Sequence, residues 1–244
     1  MIILRSIVFN IFYVLWTLLL GLAYLPMLLL PARWIDAPIR VWLRGFLLGA
    51  WVLLGIRWRV EGRENLPAGA CIVASKHQSA WETFFFHLLL DRPVYILKKE
   101  LFSIPLVGWY MRKVGTVAID RKAGAAALKY MLREADDRVA KGRQIVIFPE
   151  GTRVAPGAPS KPYKPGVAAL YARLGDRAPV VPVALNTGLF WGRNSFLKRP
   201  GMVVVRILPP IPAGLDKQVF MTTLHDRIEA ATADLCGESP HRGQ

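Results

Sequence analysis

Sulfur is scarce in this sequence: 244 residues contain two cysteines, Cys71 and Cys236. Neither has a histidine or second cysteine at metal-ligand spacing, so neither a metal nor a structural disulfide is expected. Both read as reduced thiols of a cytosol-facing chain. Acidic residues are also few, 17 against 32 Lys and Arg, which leaves a formal net charge of +15. Such an excess implies an acidic partner, and nucleic acid and anionic lipid are the two obvious classes. Internal repeats and low-complexity segments are absent. What is abundant is apolar: 53% of residues are hydrophobic, above the level of an ordinary soluble domain. No basic helix or nucleic-acid module accompanies the charge, so the reading favours a membrane and no nucleic acid.

The apolar residues are concentrated at the start. Residues 7–30 hold no charge, and as a helix would be about 36 Å long, enough to cross a hydrocarbon layer of about 30 Å. A secretory signal has a shorter apolar core and a small-residue cleavage site, which is not evident here. Pro26 and Pro31 should bend or end this helix. A second uncharged run, 45–56, is too short to span and suits an interfacial or re-entrant helix. Together they predict a hydrophobic two-helix membrane hairpin over 1–57. Whether the first helix spans or embeds in one leaflet stays open. Arg33, Arg40, Arg44, Arg57 and Arg59 follow the first run while Arg5 alone precedes it, so the rest of the chain should lie on the cytoplasmic side of the inner membrane. Trp34, Trp42, Trp51 and Trp58 suit a headgroup interface, and core packing equally.

From residue 58 the pattern becomes alternating short strands and helices, which predicts an α/β domain over 58–236, a mixed sheet flanked by helices. Strands are expected at 58–61, 69–75, 94–97, 116–119, 144–148, 180–185 and 203–207, and helices at 81–90, 123–140, 167–174 and 216–235. Residues 102–114, with Pro105 and Gly108, should form a broken helix or loop, and 155–164 a mobile loop. Residues 237–244 read as a flexible tail.

Between a predicted strand and helix lies Lys76-His77-Gln78-Ser79-Ala80-Trp81-Glu82-Thr83. Residues five apart on one helix point about 140° away from each other. His77 and Glu82 therefore meet only if the helix starts between them. Ser79, three residues before Glu82, supplies such a start as a capping box. Glu82 then either closes the box or orients His77, and Ser79 is a rival nucleophile already accounted for by the cap. A second block, Phe148-Pro149-Glu150-Gly151-Thr152-Arg153, follows another strand. Gly151 permits a tight backbone there, and Arg153 offers a planar fork to a phosphate. Arg121, after a third strand, can do the same from another loop. Surface solvation, or pairing with Asp120 and Glu150, is the competing reading for both arginines.

With both blocks present, the chain resembles the glycerolipid acyltransferase family, in particular its members acting on 1-acylglycerol-3-phosphate. The family's His-x-x-x-x-Asp, Gly…Asp-Arg, Phe-Pro-Glu-Gly-Thr-Arg and Val-Pro-Val blocks have counterparts in order from His77 to Asn186; Glu82 stands where Asp is usual. The resemblance implies acyl transfer from acyl-CoA or acyl carrier protein to the sn-2 hydroxyl of a lysolipid, giving phosphatidate, with no cofactor. His77 would be the base and Glu82 its orienting carboxylate, following triad logic with the substrate hydroxyl in place of an enzyme serine. Arg121, Arg153 and Lys98 would hold the phosphate, with Lys99 beside them. Glu150, Gly151, Thr152 and Pro182 would support the site, and Phe84, Phe85, Phe86, Trp109 and Tyr110 are candidates to line an acyl tunnel. The rivals are a relative acting on lyso-ornithine lipid, glycerol-3-phosphate or another lysolipid, and a non-enzymatic basic protein binding an anionic membrane surface.

Overall fold

The computed structural model describes residues 1–237. Seven strands form one sheet in the order β1-β7-β6-β2-β5-β3-β4: β1 (Ile56–Glu61), β2 (Ile72–Ser75), β3 (Val94–Lys98), β4 (Val117–Ile119), β5 (Ile145–Ile147), β6 (Val180–Leu185) and β7 (Gly201–Ile207). Strands β6, β2, β5, β3 and β4 run parallel, whereas β7 is antiparallel to β6 and carries β1 parallel beside it. The mixed sheet predicted from the sequence is present.

Strands β2, β5 and β6 are buried throughout, because both faces are covered. Ile72, Ala74, Ile145 and Ile147 point to one side, under α5 (Gly124–Ala140), α6 (Pro165–Leu174) and α7 (Lys217–Gly237). Their neighbours Val73, Val146, Val181 and Val183 point to the other, as the two-residue strand period requires. There they meet α1 (Ile2–Ala23), α2 (Asp36–Gly49) and α3 (Trp81–Leu89).

The first helix starts and stops earlier than expected. After Ala23 the chain enters a 3₁₀ turn, Leu25–Leu29, in which Pro26 occupies the first turn, where a missing N–H does no harm. The second helix is longer than the apolar run 45–56, beginning at Asp36. Asp36 and Arg40 pair across one turn at 2.6 Å, and Arg40 also donates to the Leu90 carbonyl at 3.1 Å, so its charge faces the α/β domain. The stretch 102–114 resolves into a 3₁₀ turn and α4 (Val107–Lys113), joined through Leu106 at φ +61°. Of the expected tail, Gly237 ends α7 and the remainder lies outside the described residues.

Glycine allows the two N-terminal helices to come close. Trp16 lies over Gly45 and Phe12 over Gly49, so a Cβ at either would sit 2.3 or 2.2 Å from a ring carbon.

Candidate active site

The parallel strands deliver their carboxyl ends to one edge of the sheet, the edge where open α/β folds place reactive groups. His77 follows β2, Glu150 and Gly151 follow β5, Lys98 ends β3, Arg121 follows β4 and Thr187 follows β6. Residues distant in the chain meet there because the strands run the same way.

Helix α3 begins at Trp81, between His77 and Glu82, and brings the two together: His77 Nδ1 lies 2.9 Å from Glu82 Oε1. The same oxygen accepts the backbone N–H groups of Gln78 at 2.8 Å and Ser79 at 2.6 Å. The Thr187 hydroxyl donates to the other oxygen at 2.9 Å. Glu82 is fully buried, and these donors compensate for the water it has lost. The capping box is half formed. Glu82 reaches back to the Ser79 N–H, while Ser79 Oγ accepts from Trp81 N–H at 3.2 Å. Ser79 thereby supports the first turn of α3 from one residue before the N-cap, Ala80.

The block from Phe148 to Arg153 grips His77 from the other side. Phe148 stacks on the imidazole, centroids 3.9 Å apart and planes 17° off parallel. Glu150 Oε2 accepts the His77 N–H at 2.8 Å, and Val154 N–H donates to the His77 carbonyl at 2.8 Å. Ring face, Nδ1 and both backbone polar groups of His77 are held, which leaves Nε2 as the ring nitrogen without a partner among the described residues. Burial pushes the Glu150 carboxyl up from its ordinary value, against the opposing pull of Lys76.

The cations gather beside this loop. Gly151 adopts φ +68°, which favours glycine, and its carbonyl accepts from Arg121 Nη1 at 2.6 Å. Asp120 is taken by Lys99, whose hydrogen bond holds its carboxyl below the ordinary value, and Glu150 is taken by Lys76. Neither acid pairs with an arginine. Among the described residues the half-buried Arg153 guanidinium has no hydrogen-bond or ion-pair partner, and its neighbour Val154 ties this part of the loop to the His77 carbonyl. Lys98 is exposed and stands opposite Ile119 in the β3–β4 register, two residues before Arg121. Pro182 lies inside β6 opposite Ala74, and its carbonyl accepts from Leu208 N–H at 2.9 Å. Thr152 is half-buried between Gly151 and Arg153.

An apolar cavity with an empty volume of about 910 Å³, part of it open to solvent, lies along α3, where Thr83, Phe84 and His87 line it and Glu82 does not. Leu20 and Gly21 of α1, Trp42 and Leu43 of α2, and Leu106 and Tyr110 around α4 contribute to its wall. Of the aromatic residues expected there, Phe84 and Tyr110 line it. Phe85 and Phe86 do not, because successive residues on a helix turn by about 100° and these two face the core. Trp109 is 45% exposed.

Sequence reasoning missed Thr187, Lys76, Glu229 and Tyr163. Their partners lie as far as 153 positions away, so no local spacing marks them. Thr187 does directly follow Asn186, where the motif series ends.

A model of the Acyltransferase family matches residues 57–186, just over half of the chain. The 1-acyl-sn-glycerol-3-phosphate acyltransferase of Pseudomonas aeruginosa is 37% identical over 187 residues, covering 77% of this chain and 72% of that protein. The mouse 1-acyl-sn-glycerol-3-phosphate acyltransferase alpha is 30% identical over 204 residues, 82% of this chain and 70% of its own. In fold, the chain is similar to the crystal structure of the 1-acyl-sn-glycerophosphate (LPA) acyltransferase PlsC from Thermotoga maritima, with a TM-score of 0.76 at 22% identity over 96% of this chain and 98% of that one. By the family match over most of the sheet edge just described, and by relatives similar along most of its length, the protein belongs to the acyltransferase family, with the 1-acyl-sn-glycerol-3-phosphate acyltransferases, and is an acyl-transferring enzyme.

Proposed function

We propose that the protein moves an acyl group from an acyl thioester, acyl-CoA or acyl carrier protein, to the sn-2 hydroxyl of 1-acylglycerol-3-phosphate, releasing thiol and phosphatidate. The observation that carries this reading is the pairing of His77 with a fully buried Glu82, against the loop after β5 that carries Glu150 and Arg153. Glu82 keeps the Nδ1 proton of His77 in place, so Nε2 accepts the proton of the acceptor hydroxyl as it attacks the thioester carbonyl. The same carboxylate stabilises the imidazolium that forms. Nε2 then returns the proton to the departing thiolate, and no covalent enzyme intermediate is needed.

Arg153, with Arg121 and Lys98, holds the phosphate of the acceptor, and an acyl chain enters the cavity along α3. Residues 1–57 anchor the α/β part in the cytoplasmic leaflet of the inner membrane. Helix α1 is docked towards both ends: Lys198 N–H donates to Ser6 Oγ at 3.0 Å near one, and Tyr110 OH to the Gly21 carbonyl at 2.8 Å near the other. A helix held lengthwise against a folded domain lies along the membrane surface and embeds in one leaflet. Its outward residues Leu4, Ile11, Leu15 and Leu19 are each more than half exposed and face lipid in this reading.

The test is to incubate purified protein with a labelled acyl thioester and a panel of lysolipids. Lysophosphatidate should be acylated far faster than phosphate-free acceptors. Arg153→Ala should raise KM for lysophosphatidate about 10- to 100-fold, the loss of one charge-assisted contact, and leave phosphate-free acceptors unaffected. Equal effects on all acceptors would contradict the assignment of Arg153 to the phosphate.

A further inference from the structure

A buried charge cluster adjoins the loop of His77, and the acyl-transfer chemistry leaves it unused. Lys76 immediately precedes His77 and its side chain is 4% exposed. Its Nζ lies 2.7 Å from Glu150 Oε1, and 2.8 and 2.9 Å from the two oxygens of Glu229. Glu150 spends its other oxygen on the His77 N–H. Glu229 comes from α7, at the far end of the chain, and also accepts from the Tyr163 hydroxyl at 2.9 Å. Lys76 continues the alternation of Ile72 and Ala74, which face α7, whereas His77 follows Val73 towards α3. The strand period thus sends the ammonium and the imidazole to opposite faces of the sheet.

An ammonium is costly to bury unless anions surround it, and apolar groups of similar size would fill the same space at less cost. Two carboxylates around one ammonium form a bridge in which each member fixes the next. It runs from α7 through Glu229, Lys76 and Glu150 to the peptide N–H of His77. We propose that Glu229 is a positioning residue for the base. It holds the Lys76 ammonium so that Glu150 carries the His77 peptide at the height where the imidazole meets both Glu82 and the acceptor hydroxyl. This inference rests on His77 being the base. Without the Glu229 charge, the ammonium has Glu150 as its one remaining anion, the carboxylate shifts towards it, and its hydrogen bond to His77 slackens. Displacements of about 1 Å at a reacting group cost about 100-fold in rate. A partial slackening should therefore cost about ten-fold.

The experiment uses the full chain in detergent, with lysophosphatidate and an acyl-CoA, and measures kcat, both KM values and the melting temperature. Glu229→Gln should lower kcat about ten-fold with KM for either substrate unchanged, and Glu229→Asp, which restores the charge, should recover most of it. Tyr163→Phe, which removes one neutral donor to Glu229, should lower kcat by about two-fold, and it keeps the test open should Glu229→Gln fold poorly. The double variant Lys76→Met/Glu229→Gln should turn over no more slowly than Lys76→Met alone, because the path runs through Lys76. The proposal is overturned if Glu229→Gln keeps wild-type kcat, if its effect is confined to melting temperature or KM, or if its loss multiplies in full with that of Lys76→Met. His77→Ala, measured in parallel, separates the two claims. An active His77→Ala sinks the reading of the base, whereas an inactive one beside a fully active Glu229→Gln sinks the positioning role alone.

Discussion

Glu82 accepts four hydrogen bonds while fully enclosed, so changes to its partners should register in stability as well as rate. Thr187→Val keeps the shape but strips Oε2 of its donor. The expected loss is about 2 kcal/mol, typical of a hydrogen bond to a buried charge, read as a lower melting temperature together with a fall in kcat. An unchanged melting temperature would mean that the Thr187 contact carries no energy. Cys71 offers a second check. Burial pushes its thiol up to about 12, and reactivity requires the thiolate. A thiol reagent should label at most one of the two cysteines in the folded protein and both after denaturation. At this scale the sequence was legible where contacts are local: that His77 meets Glu82 across the start of α3 follows from helix geometry. Thr187, Lys76 and Glu229 were illegible because strand order, which no short window contains, brings them to the loop.

Among the elements, the α1–α2 hairpin carries the clearest packing signature. Gly45 and Gly49 are one helical turn apart and let the rings of Trp16 and Phe12 reach the α2 backbone, the small-xxx-small arrangement by which apolar helices approach closely. Gly49→Leu should disrupt this contact at a cost of about 1–3 kcal/mol from overpacking, measured as a lower melting temperature in detergent. A surface substitution such as Val52→Leu, at a residue 66% exposed, should be neutral. The cavity belongs to the same scale. Leu20 lines it from α1, so Leu20→Trp should shift acyl preference towards shorter chains, and an unaltered chain-length profile would remove the cavity from the account. Buried strands were readable because apolar runs of that length between turn signals have few alternatives. The start of α2 was not, because Asp36 and Arg40 look like loop charges until they are seen paired with each other. The turn at Leu106 was hidden too, since a leucine rarely adopts the positive φ of this tight turn, closed by Val107 N–H on the Pro105 carbonyl at 2.7 Å.

For the whole molecule, the question that hydropathy left open is how α1 meets the membrane. Its 22 residues make about 33 Å of helix, long enough to span, yet contacts at Ser6 and Gly21 tie it lengthwise to the rest of the chain. The account expects an N-terminal epitope on the same side of the membrane as the catalytic domain, read by protease protection in oriented vesicles; an epitope on the opposite side would show that α1 crosses. Charge and hydropathy marked a membrane protein, and the mixed sheet was foreseen. The docking of hairpin on sheet was not, because it depends on tertiary contacts such as Phe9 against Phe46 and Trp191. The central claim is that an imidazole steadied by a buried carboxylate removes the acceptor's proton. It is tested most directly by the turnover number of Glu82→Gln with lysophosphatidate and an acyl thioester. The account predicts a fall of roughly 10³- to 10⁴-fold, as for loss of the orienting acid in a catalytic triad, with lysophosphatidate binding preserved; turnover within a few-fold of the wild type would contradict it.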